Sequence, residues 1–267
     1  LEPWGVLQYG LIQHIPMSYG AMSIVVSFVV LLFWIPLRQW PGLGTLLNAV
    51  VIGASGGIGA ALVELLCASP QVANVTALAR PELDLTQPAS IAAACANITD
   101  PVDLVLVATG MLHDATHGPE RSLAALDADW LAQSFAVNAI GPALVAQALL
   151  PKLRRDRKTA FAALSARVGS ISDNRLGGWY GYRASKAALN QLVRTAAIEH
   201  ARRNPLSLVV TLHPGTVDTR LSKPFQRGVP ELFDPATSAR HLLGVLDALT
   251  PTDSGGLFAW DGSAIAF

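Results

Sequence analysis

Ala49-Val-Val-Ile52, then Gly53-Ala-Ser-Gly-Gly57-Ile-Gly59, then Ala60-Ala-Leu-Val-Glu-Leu-Leu66 form one continuous stretch: a short apolar run, a glycine-rich turn and a helix-forming run. That order is the requirement for a phosphate-binding turn. Glycines let the chain bend sharply, and the helix that follows presents free N–H groups and the positive end of its dipole to an anion. The spacing of Gly53, Gly57 and Gly59 is G-x-x-x-G-x-G.

Outward from this turn the chain alternates short apolar runs with helix-length segments, the pattern of a parallel sheet covered by helices on both faces. Strands are predicted over Ala49–Ile52, Val75–Ala79, Leu104–Ala108, Thr159–Leu164, Leu208–His213 and Leu257–Trp260. Helices are predicted over Gly57–Ala68, Pro88–Ala96, Asp129–Arg154, Tyr180–Arg203 and Pro235–Leu249. The fold class is therefore α/β, a Rossmann-type doubly wound parallel sheet, with an apolar helix expected ahead of it.

That extra helix comes from a different kind of sequence. Residues 3–37 carry no Asp, Glu, Lys or Arg, and Tyr19–Leu37 is about as long as a helix needs to span a bilayer. Trp34, Arg38 and Trp40 at one end fit an interfacial belt with its basic side toward the cytoplasm. The chain is thus expected to divide into an apolar segment, 1–47, holding a candidate membrane helix at 19–37, and a cytoplasmic nucleotide-binding domain, 48–267. The wording of Pro3–Ala49 resembles part of the bacterial YczE-like family of multi-spanning membrane proteins.

Bulk composition excludes some partners. Nineteen basic residues balance 19 acidic ones, so the excess positive charge that binds a nucleic-acid backbone is missing. Cys67 and Cys95 sit inside apolar helical patterns and read as buried small hydrophobes. His113, His117 and His213 show no metal-ligand spacing, and no metal site is expected.

Tyr182 and Lys186 lie four apart in a helix-forming run, which puts phenol and ammonium on one helical face. A neighbouring ammonium favours the phenolate, so Lys186 is expected to lower the pKa of Tyr182 toward that of a general acid/base. At the end of the second strand stands Arg80, where a guanidinium can pair with the 2′-phosphate of NADP; a carboxylate there would select NAD.

Together the glycine turn, Tyr-x-x-x-Lys, His213-Pro-Gly-Thr-Val-Asp-Thr219 and the ending Trp260-Asp-Gly262 resemble the short-chain dehydrogenase/reductase family, in the branch of C-factor-like proteins and the carbonyl reductase sniffer. The resemblance implies an NADP(H)-dependent enzyme that moves hydride to or from a carbonyl or alcohol carbon. It implies cofactor contacts at Gly53, Ser55, Gly57, Ile58 and Gly59, at Asp84 and Leu85 around the adenine, and at Gly110. It further implies contacts at Pro214, Gly215, Val217 and Thr219 around the nicotinamide. Tyr182 would pass the proton, Lys186 would also hold the nicotinamide ribose, and Asn138 would kink a long helix and anchor a water in the proton relay. A substrate-binding serine is expected at Ala166, so Ser165, favoured because a strand end can bend, and Ser170 remain alternatives, as does neither. Substrate choice is expected to lie in Leu112–Leu123 and Ser222–Phe233, and a homo-oligomer built on the two long helices is expected. The competing expectation is a cofactor-binding sensor or signalling protein with little turnover.

Overall fold

The computed structural model describes Ser18, Ala21 and residues 47–267. The latter fall within the unit Leu46–Phe267. The candidate membrane helix at 19–37 and the YczE-like stretch lie outside the described residues, apart from Ala21 and the last residues of that stretch.

Six strands form one parallel sheet in the order β2-β1-β3-β4-β5-β6. They are β1 Leu47–Ile52, β2 Val72–Leu78, β3 Leu104–Val107, β4 Thr159–Leu164, β5 Ser207–His213 and β6 Leu257–Ala259. The helices are α1 Gly57–Ala68, α2 Pro88–Ala96, α3 Ala128–Phe135, α4 Gly141–Leu149, α5 Tyr180–Ala201 and α6 Pro235–Ala248. The long helix expected over Asp129–Arg154 is divided: a π-helical turn, Ala136–Ile140, separates α3 from α4, and a 3₁₀ turn ends it at Lys152. Asn138 is the middle residue of that π turn, so the expected kink is a local change of helical pitch.

Strand side chains alternate between two cores because successive residues face opposite sides of a sheet. Val50, Ile52, Val105, Val107, Phe161, Ala163 and Val209 face the core built with α2, α4 and α5. Ala49, Val51, Leu106, Ala160, Ala162, Val210 and Leu212 face α1 and α6. A strand buried on both faces reads as an unbroken apolar run, which is why Ala49–Ile52 shows no polar alternation. One described stretch, Ala128–Lys152, is long and apolar enough to cross a membrane by length and composition, but half of its most apolar window is buried in the fold. Cys95 is buried as expected; Cys67, in the last turn of α1, is exposed instead.

Candidate active site

The sheet order reverses at β1, whose neighbours β2 and β3 are reached by crossovers in opposite directions, and ligands of open α/β sheets bind beyond the strand ends at such a point. There the structure opens a cleft of ≈ 1060 Å³. Gly53, Ser55, Gly57 and Ile58 line it after β1, Arg80, Asp84 and Leu85 after β2, and Gly110 after β3. Ser165 follows β4 into the same cleft, Tyr182 and Lys186 come from α5, and Pro214 and Thr219 follow β5.

Four expected site residues stand behind this surface. Gly59 packs on the turn itself: a β-carbon there would lie 2.1 Å from the Gly53 carbonyl oxygen, so its glycine permits close packing and does not contact the cleft. Gly215, at φ 78°, turns beneath the rings of Phe233 and Trp260. Val217 is buried and bridged to Phe233, and its carbonyl accepts the Ser222 hydroxyl. Asn138 is fully buried; its carboxamide accepts the Met111 N–H and donates to the Met111 carbonyl, both at 2.8 Å. It also donates to the Ser185 hydroxyl at 3.1 Å. Asn138 thus pins the loop after β3 to the helix that carries Tyr182. Met111 had no signal in the sequence, because it takes part through its backbone.

Lys186 is buried, and its ammonium donates to the Leu164 carbonyl at 2.7 Å, tying α5 to the end of β4. Its nitrogen stands 5.8 Å from the centre of the Tyr182 ring. Burial disfavours charge on both groups: it pushes Tyr182 up to about 12 and Lys186 down to about 7. This corrects the expectation drawn from spacing alone, in which Lys186 lowers Tyr182. At neutral pH the phenol of the open cleft keeps its proton, the form required of a general acid.

Ser165 still hydrogen-bonds into the sheet through its N–H to the Leu212 carbonyl, 2.8 Å. Its hydroxyl donates to Asn190 Oδ1 of α5 at 2.7 Å. Ser170 points elsewhere: its hydroxyl donates to the Ala266 carbonyl of the C-terminal tail. Of the expected substrate loop, His113, Asp114 and Ala115 reach the cleft, and His113 Nε2 meets the Arg220 carbonyl at 3.2 Å. His213 is more than a turn histidine. Burial, with Arg167 nearby, pushes it down to about 4, and its Nδ1 has no partner. Among the described residues no group of acidic, Cys and His side chains is placed to hold a metal ion.

The cleft fits an anionic dinucleotide. The N-terminus of α1 opens on it without a side-chain cap and without an acidic residue in its first turn. At Gly57 a β-carbon would strike the Thr219 methyl at 2.7 Å, so the turn and the loop after β5 close together at that point. The Thr109 hydroxyl, at the edge of the same cleft, is buried with no partner.

Residues 47–229 match the family described as short chain dehydrogenase. The chain belongs to that family. This short-chain dehydrogenase is therefore an oxidoreductase. It is 36% identical over 168 residues to C-signal of Myxococcus xanthus, an alignment covering 62% of this chain and 93% of that protein. It is 32% identical over 186 residues to a 1-hydroxy-2-glutathionyl-2-methyl-3-butene dehydrogenase of Rhodococcus sp. strain AD45, covering 68% of this chain and 77% of the relative. Among solved structures it resembles the carbonyl reductase Sniffer of D. melanogaster, with a TM-score of 0.71 and 21% identity over 83% of this chain and 100% of that one. An NADPH-bound carbonyl reductase from chicken fatty liver gives a TM-score of 0.72 and 24% identity over 83% of this chain and 94% of that one. At these identities the two structures speak for the fold alone.

Proposed function

We propose that this short-chain dehydrogenase reduces an aldehyde, ketone or quinone with NADPH, Tyr182 acting as general acid. One observation carries the reading: Tyr182, Lys186 and Ser165 meet in the same cleft as an uncapped helix N-terminus and the Arg80 guanidinium. Gly53–Ile58 would hold the diphosphate, Arg80 the 2′-phosphate, and Asp84 and Leu85 the adenine. Thr219, Pro214 and the backbone at Gly110 would flank the nicotinamide. NADPH, when bound, supplies the hydride that reaches the carbonyl carbon. Tyr182 gives its phenolic proton to the carbonyl oxygen, so one hydride and one proton convert C=O to CH–OH. Lys186, held by Leu164, stands beside the ring to stabilise the phenolate left behind, and Ser165 offers a hydroxyl to the carbonyl oxygen once released from Asn190.

NADPH fits better than NADH because a guanidinium lines the cleft where a carboxylate would repel the 2′-phosphate. C-signal and Sniffer, by name a signal and a carbonyl reductase, bracket the two readings of this site, turnover and signalling. The meeting of Tyr182, Lys186 and Ser165 in one cleft favours the first. The same proposal includes a domain boundary at 47/48, a membrane anchor at 19–37 and a homo-oligomer. The oligomer is supported by apolar side chains left exposed on the long helices, Ile140, Leu192 and Ile198.

The test follows NADPH absorbance with benzaldehyde, acetophenone and benzoquinone. Wild type is expected to turn over, and Tyr182→Phe to lose about 10²- to 10⁴-fold in kcat while still quenching on NADPH binding. Arg80→Ala is expected to weaken NADPH about tenfold and leave NADH unchanged. Cofactor binding without turnover of any carbonyl would transfer the protein to the sensor reading. Release of the full chain by carbonate extraction would contradict the anchor.

A further inference from the structure

Helix α5 starts without a cap of its own. The position before it is Trp179, whose side chain makes no capping hydrogen bond and whose backbone is left-handed, φ 54° and ψ 44°. Gly177 and Gly178 precede it at φ 63° and 66°, so three successive residues turn the chain through the left-handed region, the last of them bearing an indole. A bulky residue keeps that conformation only where its surroundings hold it there. One residue from far along the chain does so.

Glu120, only 5% exposed, contacts this corner twice. Its carbonyl accepts the Trp179 N–H at 2.5 Å, and its carboxylate Oε2 accepts the Gly181 N–H at 3.1 Å, inside the first turn of α5. The other oxygen, Oε1, is buried with no partner. A β-carbon on Gly181 would come 2.7 Å from Oε1, so glycine at that position is what lets the carboxylate reach the helix end. The positive end of the helix dipole makes a buried, half-bonded carboxylate tolerable there. The next residue is Tyr182. Glu120 also lies in the loop whose His113 and Asp114 line the cleft, so the loop and the helix bearing the phenol are joined at this carboxylate.

We propose that Glu120 is a positioning residue for Tyr182, capping α5 from 61 residues away and setting the phenol against the cleft. This deepens the reading of Tyr182 as the proton donor and rests on it. The carboxylate oxygen acts as an acceptor, so glutamine can replace it and alanine cannot. Displacing it from the other side, by a methyl group at residue 181, has the same effect with Glu120 itself left in the sequence.

The experiment uses the full chain with tyrosine isotope-labelled at Cζ, the Tyr182 resonance being identified by its loss in Tyr182→Phe. NADPH affinity is read by fluorescence and kcat with benzaldehyde. Glu120→Ala and Gly181→Ala are each expected to move or split the Tyr182 resonance. Both are expected to lower kcat about 10- to 100-fold, as displacement of a catalytic group does, with NADPH affinity within about twofold of wild type. Glu120→Gln is expected to return both readouts most of the way. Should Glu120→Ala fail to fold, Gly181→Ala decides, since alanine favours the helix. A Tyr182 resonance and kcat left at wild-type values in both alanine variants would overturn the proposal, as would equal losses of NADPH binding and turnover that glutamine does not restore. If wild type reduces no carbonyl, the proposed function fails by itself, and the resonance still decides whether Glu120 positions the phenol.

Discussion

Ser165 and Ser170 are separated by a single 3₁₀ turn, Arg167–Gly169, yet their hydroxyls serve different parts of the molecule. Ser165 faces the cleft and Asn190; Ser170 fastens the C-terminal tail. Sequence distance from Tyr182 could not separate them, because it does not show where an irregular loop turns back. The expected outcome is that Ser165→Ala lowers kcat about 10²-fold, the cost of losing one preorganised donor to the carbonyl oxygen. Ser170→Ala should leave kcat near wild type and speed proteolytic trimming of the tail. The reverse assignment, with turnover lost only in Ser170→Ala, would move the substrate contact away from β4. Tyr182 and Lys186 show the other limit of reading residues singly. Their spacing is legible, but the sign of their pKa shifts is set by the water that the fold removes from around them.

At the level of elements, β1, the glycine turn and α1 form a unit whose parts explain one another. The helix begins at Gly57 and the turn is closed by Gly53, whose φ is 85°. Gly59 is then the contact between them. Gly59→Ala is expected to lower Tm by several degrees and to weaken NADPH more than Tm alone explains, because the displaced atom is the Gly53 carbonyl. Thermal melts with and without NADPH check this; an unchanged Tm would mean the turn can shift without cost. The bounds of α1, α2 and β4 were legible to the residue, since capping, proline placement and apolar periodicity are local signals. The break between α3 and α4 was not legible as a π turn. It depends on Asn138 bonding Met111, 27 positions away, and that contact exists only in the folded chain.

For the whole molecule, the sheet has helices on both faces, and buried ionisable groups make its stability depend on pH. Burial pushes His213 down to about 4 in the fold, from the 6.5 of an unfolded chain. Below 6.5 the unfolded chain binds the extra proton, so stability falls as pH drops from 6.5 toward 4 and this contribution levels off below that. Melting curves across that window should show Tm falling with acid, and His213→Gln should flatten the slope. An equal slope in the variant would assign the acid sensitivity to other groups.

Periodicity and short motifs were enough, in the sequence by itself, to determine the parallel α/β domain, its phosphate-binding turn and the pairing of Tyr182 with Lys186. The signals for those features lie between residues a few positions apart, although the strand pairing they foretell joins residues 25 to 56 positions apart. Tertiary structure alone decided which serine faces the cleft, that Asn138 clamps Met111, that burial raises Tyr182 and lowers Lys186, and that Glu120 caps α5. Each of these needs groups brought together from distant parts of the chain or withdrawn from water, and neither proximity nor desolvation is written in local spacing.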